Sequence, residues 1–215
     1  PTSGDTVVLI SGANFWSGSD YRCRYGNSQV DLTAATYSEE HGSLRCLTGT
    51  KYDAEVVELE ISLNSQQFTS GGSFTYSFYD PPAVTTISPT GGPTSGGTLI
   101  RVWGDGLGNG MVYNCSFGAD GVVGATYDAS DGTVRCDSPS TASDCSSSVC
   151  DVSMEVAINS QDFTTSNVQF GYYAPPQMSS FTPSAGIFYG NVTVEVDGSS
   201  FHDTDDLQCW FGRSE

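Results

Sequence analysis

Apolar and polar side chains alternate along most of this chain, and the same alternation returns at fixed intervals. Val8/Ile10, Ile100/Val102 and Val194/Val196 take the same two alternate positions in three related segments. Their neighbours, Leu9/Ser11, Arg101/Trp103 and Glu195/Asp197, are expected to point outward, because side chains alternate across a strand. A second shared strand puts Tyr21–Cys23–Tyr25, Tyr113–Cys115–Phe117 and Leu207–Cys209–Phe211 on the inner face. Further strands are predicted at VELEISL and VSMEVAI, then at FTYSF and VQFGYY. Gly, Asn, Asp and Pro punctuate them, and no segment shows a helical period. Six or seven short strands in each ~94 residues predict an all-β chain of immunoglobulin-like sandwiches.

The repetition sets the domain organisation. PTSGDTVVLISGANF (1–15), PTSGGTLIRVWGDGL (93–107) and IFYGNVTVEVDGSSF (187–201) are one segment, shifted by 92 and then 94 residues. The register holds through YRCRYG, YNCSFG and LQCWFG, and VELEISLNSQQF later matches VSMEVAINSQDF. Three repeats are expected: 1–80, without its first strand; 81–174, complete; and 175–215, the N-terminal half only. Such a chain is expected to be a piece of a longer array. FYDPPAV (78–84) and YYAPPQM (172–178) join the repeats through Pro-Pro pairs, which fix φ and stiffen the connection.

Charge and cysteine change the picture next. Seven Lys+Arg stand against 25 Asp+Glu, a formal charge of −18. That excludes a surface that tracks nucleic-acid phosphates and disfavours docking on an anionic membrane. No run of 18 apolar residues is present to span a bilayer in this piece. The seven cysteines include no C-x-x-C pair, and the two histidines, His41 and His202, fall in different repeats, so a zinc site is a poor explanation. The repeat suggests disulfides Cys23–Cys46 and Cys115–Cys136. Cys209 would pair with a residue outside the piece. Cys145 and Cys150, present in repeat 2 alone, are close enough to clip its SPSTASDCSSSVCDV insertion. Reduced buried thiols are the alternative. Disulfides imply an extracellular or cell-surface location.

At this point the motifs are specific. A proline-led strand (PPAVTTISPTGGPTSGGTLIRVWGDGL) precedes C-x-F-G, then T-V-R-C-D-S-P, an alternating strand and F-x-Y-Y-x-P-P. This resembles the IPT/TIG domain, the immunoglobulin-like fold of plexins, some transcription factors, fibrocystin-like surface proteins and many secreted microbial or protist proteins. Repeat 1 departs in carrying Asp5 for the second glycine of G-G-T, and repeat 3 carries Asn191 there. The resemblance implies tandem IPT/TIG sandwiches joined by short Pro-Pro linkers. It fixes fold better than function.

Candidate chemistry is sparse. No catalytic set stands out, and the chain is expected not to be an enzyme. GDGLGNG (104–110) imitates a nucleotide loop but leads into a strand, so it reads as a turn. Asp203, Asp205 and Asp206 put three carboxylates in one turn, a weak Ca²⁺ candidate against a solvated acidic turn, and no other cofactor is expected. Asn114-Cys-Ser and Asn191-Val-Thr are N-glycosylation sequons, Asn191 being favoured because the middle residue at Asn114 is a half-cystine. Stretches 85–98 and 138–148 could carry O-glycans or be plain polar turns. Trp103 and Trp210, expected to face outward, could stack on sugars or anchor a protein contact, or pack on a neighbouring loop.

These readings converge on a structural and adhesive extracellular array, part of a cell-surface, matrix or flagellar-hair-like filament. Its expected partners are neighbouring repeats, sibling chains or other surface proteins, with glycans second and nucleic acid excluded. The alternatives are a plexin-like receptor ectodomain and a carbohydrate-binding accessory region of a secreted enzyme.

Overall fold

The computed structural model describes residues 1–26, 31–51, 53–69, 74–145, 148–201 and 207–212. Repeat 1 forms β1 (Val7–Ser11), β2 (Arg22–Tyr25), β3 (Leu32–Ser38), β4 (Ser43–Leu47), β5 (Val56–Ser62) and β6 (Thr75–Ser77). Repeat 2 forms β7 (Ala83–Ser88), β8 (Gly91–Pro93), β9 (Leu99–Asp105), β10 (Tyr113–Phe117), β11 (Val122–Asp128), β12 (Thr133–Asp137), β13 (Cys150–Ala157) and β14 (Val168–Tyr173). Repeat 3 contributes β15 (Gln177–Thr182) and β16 (Glu195–Ser199), an antiparallel pair. The chain is all-β, with tandem immunoglobulin-like sandwiches.

In repeat 2 the order β7-β9-β12-β11-β10-β13-β14-β8 runs through both layers. The strand that joins them is β11. Val122–Ala125 pair with β10, whereas Thr126–Asp128 pair with β12. Repeat 1 does the same through β3: Leu32–Ala34 pair with β2 and Ala35–Ser38 with β4. A strand that changes layers turns a corner of the sandwich without a loop.

The layers enclose one core per complete sandwich. In repeat 2, Ile100 and Val102 of β9 and Val134 of β12 face Cys115 and Phe117 of β10, Met154 and Val156 of β13, and Phe170 and Tyr172 of β14. All are buried, because period-2 alternation delivers every second side chain to the same face. Phe170 packs edge-on against Phe117 and Tyr172, with ring centroids 5.5 and 5.1 Å apart. Tyr25, Tyr76 and Phe78 repeat that cluster in repeat 1.

Repeat 3 corrects one expectation. Leu207, Cys209 and Phe211 are exposed rather than inward, and residues 207–212 form no strand. The described part of repeat 3 offers only the β15–β16 ribbon, so these side chains have no opposing layer to pack against.

Candidate contact surfaces and the repeat junction

The shared turn before the first strand is built the same way three times. Gly4, Gly96 and Gly190 have φ of 82°, 75° and 79°. The next residues, Asp5, Gly97 and Asn191, have φ of 60°, 83° and 62°. Asp and Asn are the non-glycine residues that best tolerate this left-handed region, which explains why they replace the second glycine. A side chain at Gly96 would in addition bring its Cβ within 2.6 Å of the Pro139 carbonyl carbon. The turn delivers Thr6 and Thr98 to matching places: Thr6 N–H donates to Thr48 Oγ1 and Thr98 N–H to Ser138 Oγ, each at 3.1 Å.

Disulfides join Cys23 to Cys46, Cys115 to Cys136 and Cys145 to Cys150. The first two link the two layers of their sandwiches, from β2 to β4 and from β10 to β12. Cys209 is a free, exposed cysteine among the described residues. Asn191 is exposed, as is Thr193 of its sequon. Asn114 is half-buried: its Nδ2 donates to the Val123 carbonyl at 3.3 Å and its Oδ1 is buried. Its cross-strand neighbours Gly124 and Ala157 are small, which lets the amide lie down on the sheet instead of standing out from it.

Trp103 is half-buried opposite Thr86 of β7, so its outward position is partly covered. Trp210 is 74% exposed, but in a segment without strand phase. GDGLGNG is a short turn in which Leu107 plugs the core and Gly106 takes φ 71°. His41 is exposed beside Ser38, and His202 lies outside the described residues. Asp203, Asp205 and Asp206 also lie outside them. Among the described residues, no group of three or more His, Cys, Asp or Glu is placed to hold a metal ion. No helix among the described residues is long and apolar enough to cross a membrane.

The most developed polar constellation lies between repeats 1 and 2. The turn after β13 is organised by Asn159, whose Oδ1 accepts the N–H groups of Gln161 and Asp162 at 3.0 and 2.9 Å. Gln161 then reaches the edge of β1: its Oε1 accepts the Val7 N–H at 3.0 Å and its Nε2 donates to the Val7 carbonyl at 2.9 Å. One side chain thereby imitates a paired strand residue. Asp162 Oδ2 accepts from Thr6 Oγ1 at 2.6 Å and from Asn159 Nδ2 at 2.7 Å. Tyr79, in the linker, packs on the repeat 2 core; burial first, and the Asp162 charge second, push its hydroxyl well above the ordinary tyrosine range. Strand alternation gave no sign of this clasp. The available signal was the recurrence of N-S-Q between the repeats, at positions where no strand pattern demands it.

The same equivalence shows one glutamate used in two ways. Glu155 accepts from Thr164 Oγ1 and from the N–H groups of Ser166 and Asn167, tying down the loop before β14. Its counterpart Glu60 instead pairs with Arg24 at 2.5 Å, and the guanidinium lies 4.1 Å from the Phe68 ring centroid. Repeat 1 also holds Lys51 between Asp31 and Glu55, each at 2.9 Å. Burial alone would lower that ammonium, but the hydrogen bonds to Glu55 and Asp31 outweigh it and raise it.

Comparison with known families agrees with this geometry. The IPT/TIG domain model matches residues 1–76, 82–172 and 176–215. The chain belongs to the IPT/TIG family. Among solved structures, the IPT/TIG repeats are similar to the full extracellular region of plexin A4, at 18% identity and TM-score 0.56, over 89% of this chain and 17% of that one. A second plexin A4 extracellular structure gives 18% identity and TM-score 0.45 over 80% and 17%. The SGBP-B protein of a Bacteroides ovatus mixed-linkage glucan utilization locus, in complex with a mixed-linkage heptasaccharide, gives 11% identity and TM-score 0.31 over 81% and 44%. The first likeness concerns fold, and the chain spans about a sixth of that plexin.

Proposed function

We propose that this chain is a non-catalytic, extracellular length of a longer IPT/TIG array with a structural and adhesive role. It would space and present contact surfaces in a cell-surface, matrix or filament assembly of flagellar-hair-like form. The observation that carries this reading is the junction: Gln161 and Asp162 of repeat 2 grip Thr6 and Val7 of repeat 1 across a Pro-Pro linker. A polar clasp added to a stiff linker restrains bending, which a spacer needs and a flexible tether does not. The three disulfides support an oxidising compartment. Asn191 is the glycan acceptor of the two sequons, because the Asn114 amide nitrogen is already engaged with Val123.

Small-angle scattering of the intact chain across a concentration series tests the spacer. A single stiff arrangement of repeats 1 and 2 is expected. A broad distribution of angles between them would overturn it. Peptide mapping of the secreted protein should find glycan on Asn191 and none on Asn114.

A further inference from the structure

The clasp seen at Val7 has an open counterpart at the far end of repeat 2. Thr98–Leu99 match Thr6–Val7 by sequence, by the turn before them and by the bond to Ser138. The linker leaves each repeat in the same way, with Thr2 N–H donating to the Tyr79 carbonyl at 2.7 Å and Thr94 N–H to the Tyr173 carbonyl at 2.9 Å. Yet Thr6 and Val7 are covered by the clasp, whereas Leu99 is 56% exposed and Thr98 half-buried. Thr98 lines a groove of about 530 Å³ with Ser88, Gln169, Gly171 and Tyr173.

The ladder of β7 stops short of this edge, and the residues after it, Pro89, Thr90 and Gly91, form one wall of the groove. β7 pairs with β9 only as far as Ser88↔Arg101, two residues short of Leu99. By the 92-residue shift the matching strand of repeat 1 would stop at Leu9, clear of Val7. The other half of the clasp is preformed in both repeats that carry the motif. In repeat 1, Asn64 Oδ1 accepts the N–H groups of Gln66 and Gln67 at 3.1 Å each, and Asn64 Nδ2 donates to Gln67 Oε1 at 2.5 Å. Ser65 and Ser160 share φ of 61° and 63°.

We propose that the Thr98–Leu99 edge and its groove are a docking site for the Asn-Ser-Gln turn of an IPT/TIG repeat placed directly after repeat 2. The turn's Gln amide takes the Leu99 N–H and carbonyl, and the residue after it takes the Thr98 hydroxyl. The inference rests on the array reading above and supplies its joint: each repeat grips the edge of the β1-type strand (β1, β9) of the one before it. The linker makes this weak two-point contact effective by holding the turn at high local concentration.

Amide hydrogen exchange by NMR tests it in two steps. In the present chain, Gln161→Ala should speed exchange at Val7 at least tenfold and leave Val134 unchanged. Gln161→Glu, which accepts from Val7 N–H but cannot donate to its carbonyl, should fall between. Next, residues 175–215 are replaced by a second copy of residues 81–174, recreating a Tyr-Ala-Pro-Pro junction. Leu99 in the first copy should slow to about the Val7 rate, and Gln161→Ala in the added copy should undo that. Unchanged Leu99 exchange, with Val7 still protected and the added copy folded, overturns the docking site. That outcome leaves the scattering test of the spacer untouched, and a protected Leu99 in chains that bend freely would sink the spacer alone.

Discussion

Position 5 shows how a single residue can satisfy backbone geometry that sequence pattern reports only as a departure. Asp5 sits at φ 60° where repeat 2 has Gly97 and repeat 3 has Asn191. Alanine there has no polar group to offset the left-handed strain, so Asp5→Ala should destabilise repeat 1 by about 1 kcal/mol, while Asp5→Gly should not. Urea unfolding midpoints would show it. Asp131 makes a second residue-scale case. Hydrogen bonding from the Thr133 hydroxyl, then from Arg135, lowers its carboxyl to about 2. A depressed folded value means the interaction stabilises above the ordinary carboxylate range and is lost as pH falls from about 4 toward 2. A ¹³C titration should find Asp131 still ionised at pH 3, and Arg135→Ala should move its midpoint upward.

At the scale of elements, the disulfides differ by the loops they close. Cys115 and Cys136 are 21 residues apart, Cys145 and Cys150 only 5. Loop-closure entropy then assigns about 3 kcal/mol to the first and about 2 kcal/mol to the second. Paired Cys→Ala replacements should therefore lower the repeat 2 unfolding midpoint more for Cys115/Cys136, and the buried position of that pair widens the gap. The strands and these cysteines were legible because alternation and repetition are local signals. Ile100, Val102, Cys115 and Phe117 face inward as their spacing says. The change of layer within β3 and β11 was not legible, since a strand alternates in the same way whichever neighbour it pairs with. Leu207, Cys209 and Phe211 carry the inward pattern without an opposing layer, so pattern alone overstates their burial. At Trp103 and Asn114 the sheet itself limits exposure, because an edge strand or a backbone carbonyl lies alongside.

For the whole molecule, the decisive contacts come from residues that look like loop filler. Gln161 and Asp162 have neither apolar spacing nor motif chemistry, yet they connect one sandwich to the next. Side chains that act between domains leave no trace in the periodicity of either domain. The recurrence of Gln161 in N-S-Q-x-F was visible, but its meaning required the neighbouring repeat to be in place.

The Cys115–Cys136 bond joins two layers that β11 already joins by its own change of partner. Under tension this sets a limit on stretch. When repeat 2 is pulled open, the 21-residue span between these cysteines cannot extend, which withholds about 70 Å of contour length. Single-molecule pulling should show that length appear on reduction, as a longer unfolding step of repeat 2. An unreduced array would absorb shock in short increments and keep a covalent remnant of each sandwich from which to refold.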